Sequence, residues 1–193
     1  MAFSKPIAAL LHEHEIILKA VTGLQHMAAA LTRREPLAAG ELREAVEFMR
    51  IFADRCHHAK EEDLLFPALV QAGLPATSGP VAVMKAEHAQ ARTCVGEFAA
   101  AIDAYEAGEA GSRERIVAAI GCIGSLYPQH IGKENNVLFP MAERILPPDR
   151  LADLGLLFDA VEGAHGADVH RRWVAVAQRL ACHDGAAAPA AAG

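Results

Sequence analysis

Residues 57–67 read HHAKEEDLLFP and residues 130–140 read HIGKENNVLFP. His, Lys, Glu, Leu, Phe and Pro recur at equal offsets: His57 and His130, Lys60 and Lys133, Glu61 and Glu134, Leu65 and Leu138, Phe66 and Phe139, Pro67 and Pro140. A histidine and a glutamate four residues apart share one helix face, about 6 Å apart along the axis. A neutral imidazole and a carboxylate so placed reach one cation together, or the carboxylate bridges to a neighbouring one. Burying both without a cation would leave unpaired carboxylates, which is costly.

Outward from the repeat, breaker residues cut the chain into helix-length pieces. Ser4-Lys5-Pro6 opens a first helix running to about Leu31, with Ile7, Leu10, Leu11, Ile17, Leu18, Val21 and Leu24 at helical spacing. A second is expected from about Glu41 to Gln71, stopped by Gly73-Leu74-Pro75, and a third from Pro80 to about Glu106, stopped by Gly108. A fourth covers roughly Ser112 to Ile145, and a fifth Asp149 to Cys182. No period-2 block reads as a strand. The expected fold is all-α: an up-down-up-down four-helix bundle over residues 4–146, an additional C-terminal helix over 149–182 packed on it, and a flexible tail over 183–193. Pro67 and Pro140 fall inside their helices, so a kink is expected at each.

The first and third helices each carry Glu-His, as Glu13-His14 and Glu87-His88. All four bundle helices therefore bring histidine, as a metal held inside a bundle requires. The ten histidines stand out in a chain of 193 residues with 52% apolar and 22% charged residues, a composition that excludes intrinsic disorder. A net charge of −6 leaves no basic stripe for a phosphate backbone, so nucleic acid is not an expected partner. No uninterrupted apolar run of about 18 residues suggests a membrane span, and the N-terminus is too brief and charged for a secretory signal. Cys56, Cys94, Cys122 and Cys182 fall one per helix without a C-x-x-C pair. They read as buried free thiols of a cytoplasmic protein.

On these residues the chain resembles the hemerythrin-like family of cation-binding domains, through the order E-H…H-x-x-x-E-x-x-x-x-F-P…E-H…H-x-x-x-E-x-x-x-x-F-P between about Ile7 and Ile145. The resemblance implies a non-haem di-iron centre: two iron ions joined by an oxo or hydroxo bridge, with manganese or zinc chemically acceptable. His14, His57, His88 and His130 resemble its terminal ligands, and Glu61 and Glu134 the carboxylates that bridge the metals. Oxygen-carrying members place two histidines one turn apart on the third helix and an aspartate five residues after the fourth-helix histidine. Here His88 is followed four residues on by Arg92 and His130 four residues on by Glu134, closer to the broader bacterial type.

His58 can restore the missing donor, since it lies about 100° around the helix from His57 and so faces a second metal. Glu62 competes for that role. With five imidazoles, two bridging carboxylates and one oxygen bridge, a six-coordinate iron pair keeps one open position. Tyr127, three residues before His130, is placed either for its hydroxyl to approach that position or simply to pack. His12 reads as solvent-facing, His26 as core or surface, and His165, His170 and His183 lie beyond the bundle. The leading functional expectation is a protein that binds or senses O2, NO, peroxide or iron itself. Its partner is then a small diatomic or peroxide ligand, with the fifth helix or a homodimer surface as output. A di-iron redox enzyme consuming peroxide or oxygen, and a metal-stabilised helical interaction module, are the alternatives.

Overall fold

The computed structural model describes residues 3–165 and 167–182, without the side chains of 164–169; the His165 side chain, His183 and the 183–193 tail lie outside them. Six helices and no strand occupy the described residues: α1 Lys5–Thr32, α2 over 39–71, α3 Gly79–Glu106, α4 over 112–145, α5 Pro148–His165 and α6 Ala167–Ala181. The expected stops hold. Gly73 and Gly108 follow α2 and α3 with φ of 107° and 73°, a region that costs glycine nothing.

α1 to α4 form the bundle, each antiparallel to its neighbour. Arg43, Asp54 and Glu62 along α2 meet Glu106, Arg92 and His88 in reverse order along α3. At the open end Ser4 bonds Glu143 of α4, its hydroxyl at 2.6 Å. The core is split in two. One apolar cluster holds Leu24, Phe48, Phe52, Phe98 and Ile123; the other holds Ile7, Leu10, Phe66, Met84 and Phe139. Between them lies a layer of buried His14, His57, His58, Glu61, His88, His130 and Glu134.

The repeat leaves the α-helix where it carries chemistry. Glu61–Leu65 and Glu134–Leu138 are π-helical, as is Met49–His58 earlier on α2. Phe66 N–H donates five residues back to Glu61 O, and Phe139 N–H to Glu134 O. The residue after each is Pro67 or Pro140, which has no N–H and whose ring would press on the carbonyl four residues back. The wider turn accommodates the ring, so each proline is met by a π turn.

The C-terminal segment is helical on both sides of residue 166, which lies outside the described residues: α5 ends at His165 and α6 begins at Ala167. Both helices lie on the α1/α2 side. α5 buries Leu154 and Phe158 in the cluster with Ile7 and Leu10, and α6 buries Trp173, Val176 and Leu180 in the other. The reading of the cysteines as buried free thiols is corrected. Cys94 of α3 and Cys122 of α4 form a disulfide, their Cα atoms 6.0 Å apart, because antiparallel packing sets the two side chains opposite each other. Cys56 is free and buried, and Cys182 free and exposed.

Gly23 lets α6 approach α1. A Cβ there would stand 2.3 Å from Leu180 O, a backbone atom. Gly23→Ala should therefore destabilise the protein by about 1–3 kcal/mol, read from urea unfolding. An unchanged midpoint would show that α6 does not pack here in solution.

Candidate metal centre

The histidines are aimed by what holds their outer nitrogens. His14 Nδ1 lies 2.7 Å from Asn135 Oδ1, His57 Nδ1 2.8 Å from Glu13 Oε2, and His88 Nδ1 2.7 Å from Glu62 Oε1. His130 Nδ1 lies 3.0 Å from Glu87 Oε2, and His58 Nδ1 3.3 Å from Asp54 Oδ1. With Nδ1–H donating outward, Nε2 of each ring is left as a lone-pair donor. Metal-bound histidines in proteins are oriented in this way.

The inward atoms converge on the two carboxylates. His14 Nε2 is 3.1 Å and His130 Nε2 3.2 Å from Glu134 Oε2; His57 Nε2 is 3.6 Å and His88 Nε2 3.4 Å from Glu61 Oε2. His88 Nε2 and His130 Nε2 stand 3.2 Å apart. Two groups form with ligand atoms within 4.8 Å of one another: His14, His57, Glu61 and Glu134, and Glu61, His88, His130 and Glu134. His58 joins His88 and His130 in a third such group. Glu61 and Glu134 belong to both larger groups.

Both oxygens of Glu61, both oxygens of Glu134, and Nε2 of His14 and His57 are buried without a hydrogen-bond partner. Burial and the Glu134 charge push the Glu61 carboxyl well above its ordinary range. Burial likewise works against Glu134, but the His14 ring and the other imidazoles outweigh it. Burial holds His57, His58 and His88 below their ordinary 6.5, which keeps those rings neutral and able to donate a lone pair.

The seven residues singled out by sequence thus stand in one layer. Glu62, the competitor of His58, lies outside it as the partner of His88 and of Arg92, 3.0 Å away. Tyr127 is buried with its ring 6.1 Å from that of His58 and nearly parallel. His12 and His26 are exposed, and His170 sits 5.5 Å from Phe52. Sequence reasoning missed the outer partners. Glu13 and Glu87 were visible in the Glu-His pairs, yet each holds the histidine of the next helix, not its neighbour in the chain. Asp54 and Asn135 had no signal beyond lying near a residue of the layer.

The repeat acquires a task at every position. Lys60 and Lys133 bond Glu13 and Glu87, the residues that hold His57 and His130. Phe139 stacks on His14 at 5.4 Å and Phe66 on His88 at 5.8 Å, each from the opposite half. The halves differ where α5 lies. Lys60 is wholly buried, 3.0 Å from Glu162 of α5, whereas Lys133 is half-exposed.

The family model for the hemerythrin HHE cation-binding domain matches residues 5–142. The chain belongs to that family. Uncharacterized proteins of Mycobacterium bovis and of two Mycobacterium tuberculosis strains are 23% identical over 164 residues, which is 85% of this chain and 61% of theirs. The chain therefore spans about three fifths of the length of these curated relatives. Among the described residues no helix is long and apolar enough to cross a membrane.

Because three rings are held neutral, the metal-free protein should lose stability as pH falls below about 6.5, where the unfolded chain takes up protons that the fold refuses. Glu61 acts oppositely, holding in the fold a proton that the unfolded chain sheds above 4.5. The rings outnumber the carboxyl, so unfolding takes up roughly one to two protons net, on the order of 1–3 kcal/mol per pH unit near pH 5.5. Denaturant titrations of the metal-free protein at several pH values measure this. A flat profile between about pH 7 and 5 would show that the rings are not buried neutral.

Proposed function

We propose that this hemerythrin-domain protein holds a non-haem di-iron centre and uses it to bind or sense a small oxidant ligand such as O2, NO or peroxide. One observation carries the reading. Five inward-aimed imidazoles surround two buried carboxylates whose four oxygens lack partners. A single cation would leave part of this donor set unused, whereas two cations sharing Glu61 and Glu134 engage all of it. Nitrogen and oxygen donors without thiolate suit iron or manganese and give no place for an iron–sulfur cluster.

In this reading His14 and His57 would hold one ion, His58, His88 and His130 the other, and Glu61 and Glu134 would serve both. Bound iron supplies reversible electron exchange with small oxygen or nitrogen-oxide ligands. The chain supplies the rest. Glu13, Glu62, Glu87, Asp54 and Asn135 fix the tautomer and aim of each ring, and the apolar clusters above and below keep bulk water from the layer. Glu61 must give up its proton for a cation to enter, so metal uptake releases acid.

Reconstituted protein should contain about two irons per chain, and Glu61→Ala or Glu134→Ala should each cost more than one terminal ligand does, because each serves both ions. Metal analysis and iron titration read this. One zinc per chain, or an intact pair in either variant, would overturn the reading. Anaerobic iron loading followed by exposure to O2, NO or peroxide, watched by absorption, separates the roles. A stable reversible adduct supports binding or sensing, and sustained consumption identifies an enzyme instead.

A further inference from the structure

Outside the metal layer, a recess of about 240 Å³ opens between α2 and α3, with His58 and Tyr127 at its inner wall. Its polar lining is Arg50, Asp54, Arg55 and Arg92. The π-helical turn over Met49–His58 brings this about, since residues four or five apart then lie one turn apart, placing Arg50, Asp54 or Arg55, and His58 along one face. Arg92 crosses from α3, 2.8 Å from Asp54. Ala91 and Gly96 of α3 leave the opposite wall low; a Cβ at Gly96 would meet nothing within 4 Å.

Charge decides what such a recess takes. Arg92 is already matched by Asp54 and Glu62. Arg50 and Arg55, among the described residues, are in no ion pair. Two arginines without an ion-pair partner among the described residues thus line a half-enclosed space in a chain whose net charge is −6. A cation is repelled there and an apolar ligand would strand the guanidinium donors. An oxyanion satisfies them, because the planar fork of arginine matches paired oxygens. The volume holds such an ion with several waters, at about 30 Å³ each.

We propose that this recess is a binding site for a small inorganic oxyanion, held by Arg50 and Arg55 with the Asp54–Arg92 pair and His58 behind it. The site rests on the protein's own side chains and does not require the metal reading to be right.

The test uses the full chain as purified, with metal content measured in every sample. Phosphate and nitrate binding are followed by calorimetry at low salt, and protection of arginines from a dicarbonyl reagent is mapped by mass spectrometry. Both probes should bind, and the anion should shield Arg50 and Arg55. The double variant Arg50→Ala, Arg55→Ala should weaken binding about tenfold or more. Gly96→Phe, which fills the space and leaves every charge in place, should weaken it comparably. Circular dichroism and metal content should stay at parent values in both. Equal affinity in parent and variants, no binding of either probe up to about 10 mM, or binding that vanishes with the metal and ignores the variants would overturn the proposal. Binding that persists in protein that takes up no metal supports this site and counts against the di-iron reading alone.

Discussion

The structure depends on the outward hydrogen bond of each buried imidazole. An unheld ring in a bundle core flips between tautomers and presents either nitrogen. Here four carboxylates and one amide hold Nδ1 of the five rings, at 2.7–3.3 Å, so the lone pairs share one interior layer. The cost is a set of buried and partly buried carboxylates that need partners of their own. Lys60 and Lys133 answer Glu13 and Glu87, and Arg92 answers Glu62 and Asp54. Among the described carboxylates in and around the layer, Glu61 and Glu134 are the two left without hydrogen bonds, and they lie at the centre. Charge is neutralised outward from the layer and left open at its middle, where a cation belongs.

Two similar halves build this layer, and their differences carry meaning. His58 in the first repeat is Ile131 in the second, and Glu62 is Asn135. Each change alters what one side of the layer offers. The His88/His130 side gains a third imidazole and two carboxylate partners, while the His14/His57 side gains an amide and a buried lysine. α5 deepens the difference by covering Lys60 with Glu162 and setting Phe158 5.7 Å from its ammonium group. The C-terminal helices thus do more than thicken the bundle: they seal one half of the layer from water and leave the other beside the arginine-lined recess.

Helix regularity yields at the buried layer. Three π-helical stretches occur among the described residues, and each ends or begins at a residue of that layer: at His58, Glu61 and Glu134. A π turn rotates the following residues relative to an α-helix, so the residues on either side of it can face different parts of the layer. The leucine, phenylalanine and proline that close each repeat then return the chain to the α-helix, bury a leucine in the second cluster, and lay a phenyl ring on a histidine of the other half.

Much of this was legible in the chain itself. Glycine and proline stops, helical apolar spacing and the duplicated His-x-x-Lys-Glu…Leu-Phe-Pro determined the four bundle helices and brought out His57, Glu61, His130 and Glu134, because helix periodicity is a local property. What the tertiary structure decided is everything that runs between helices. It paired Glu13 with His57 and Glu87 with His130, though each glutamate adjoins a different histidine in sequence. It set Glu62 outside and His58 inside, and joined Cys94 to Cys122. Spacing along one helix fixes only a face. Which side chain meets it from the next helix is set by axial offset and rotation, and those follow from how two whole apolar surfaces pack.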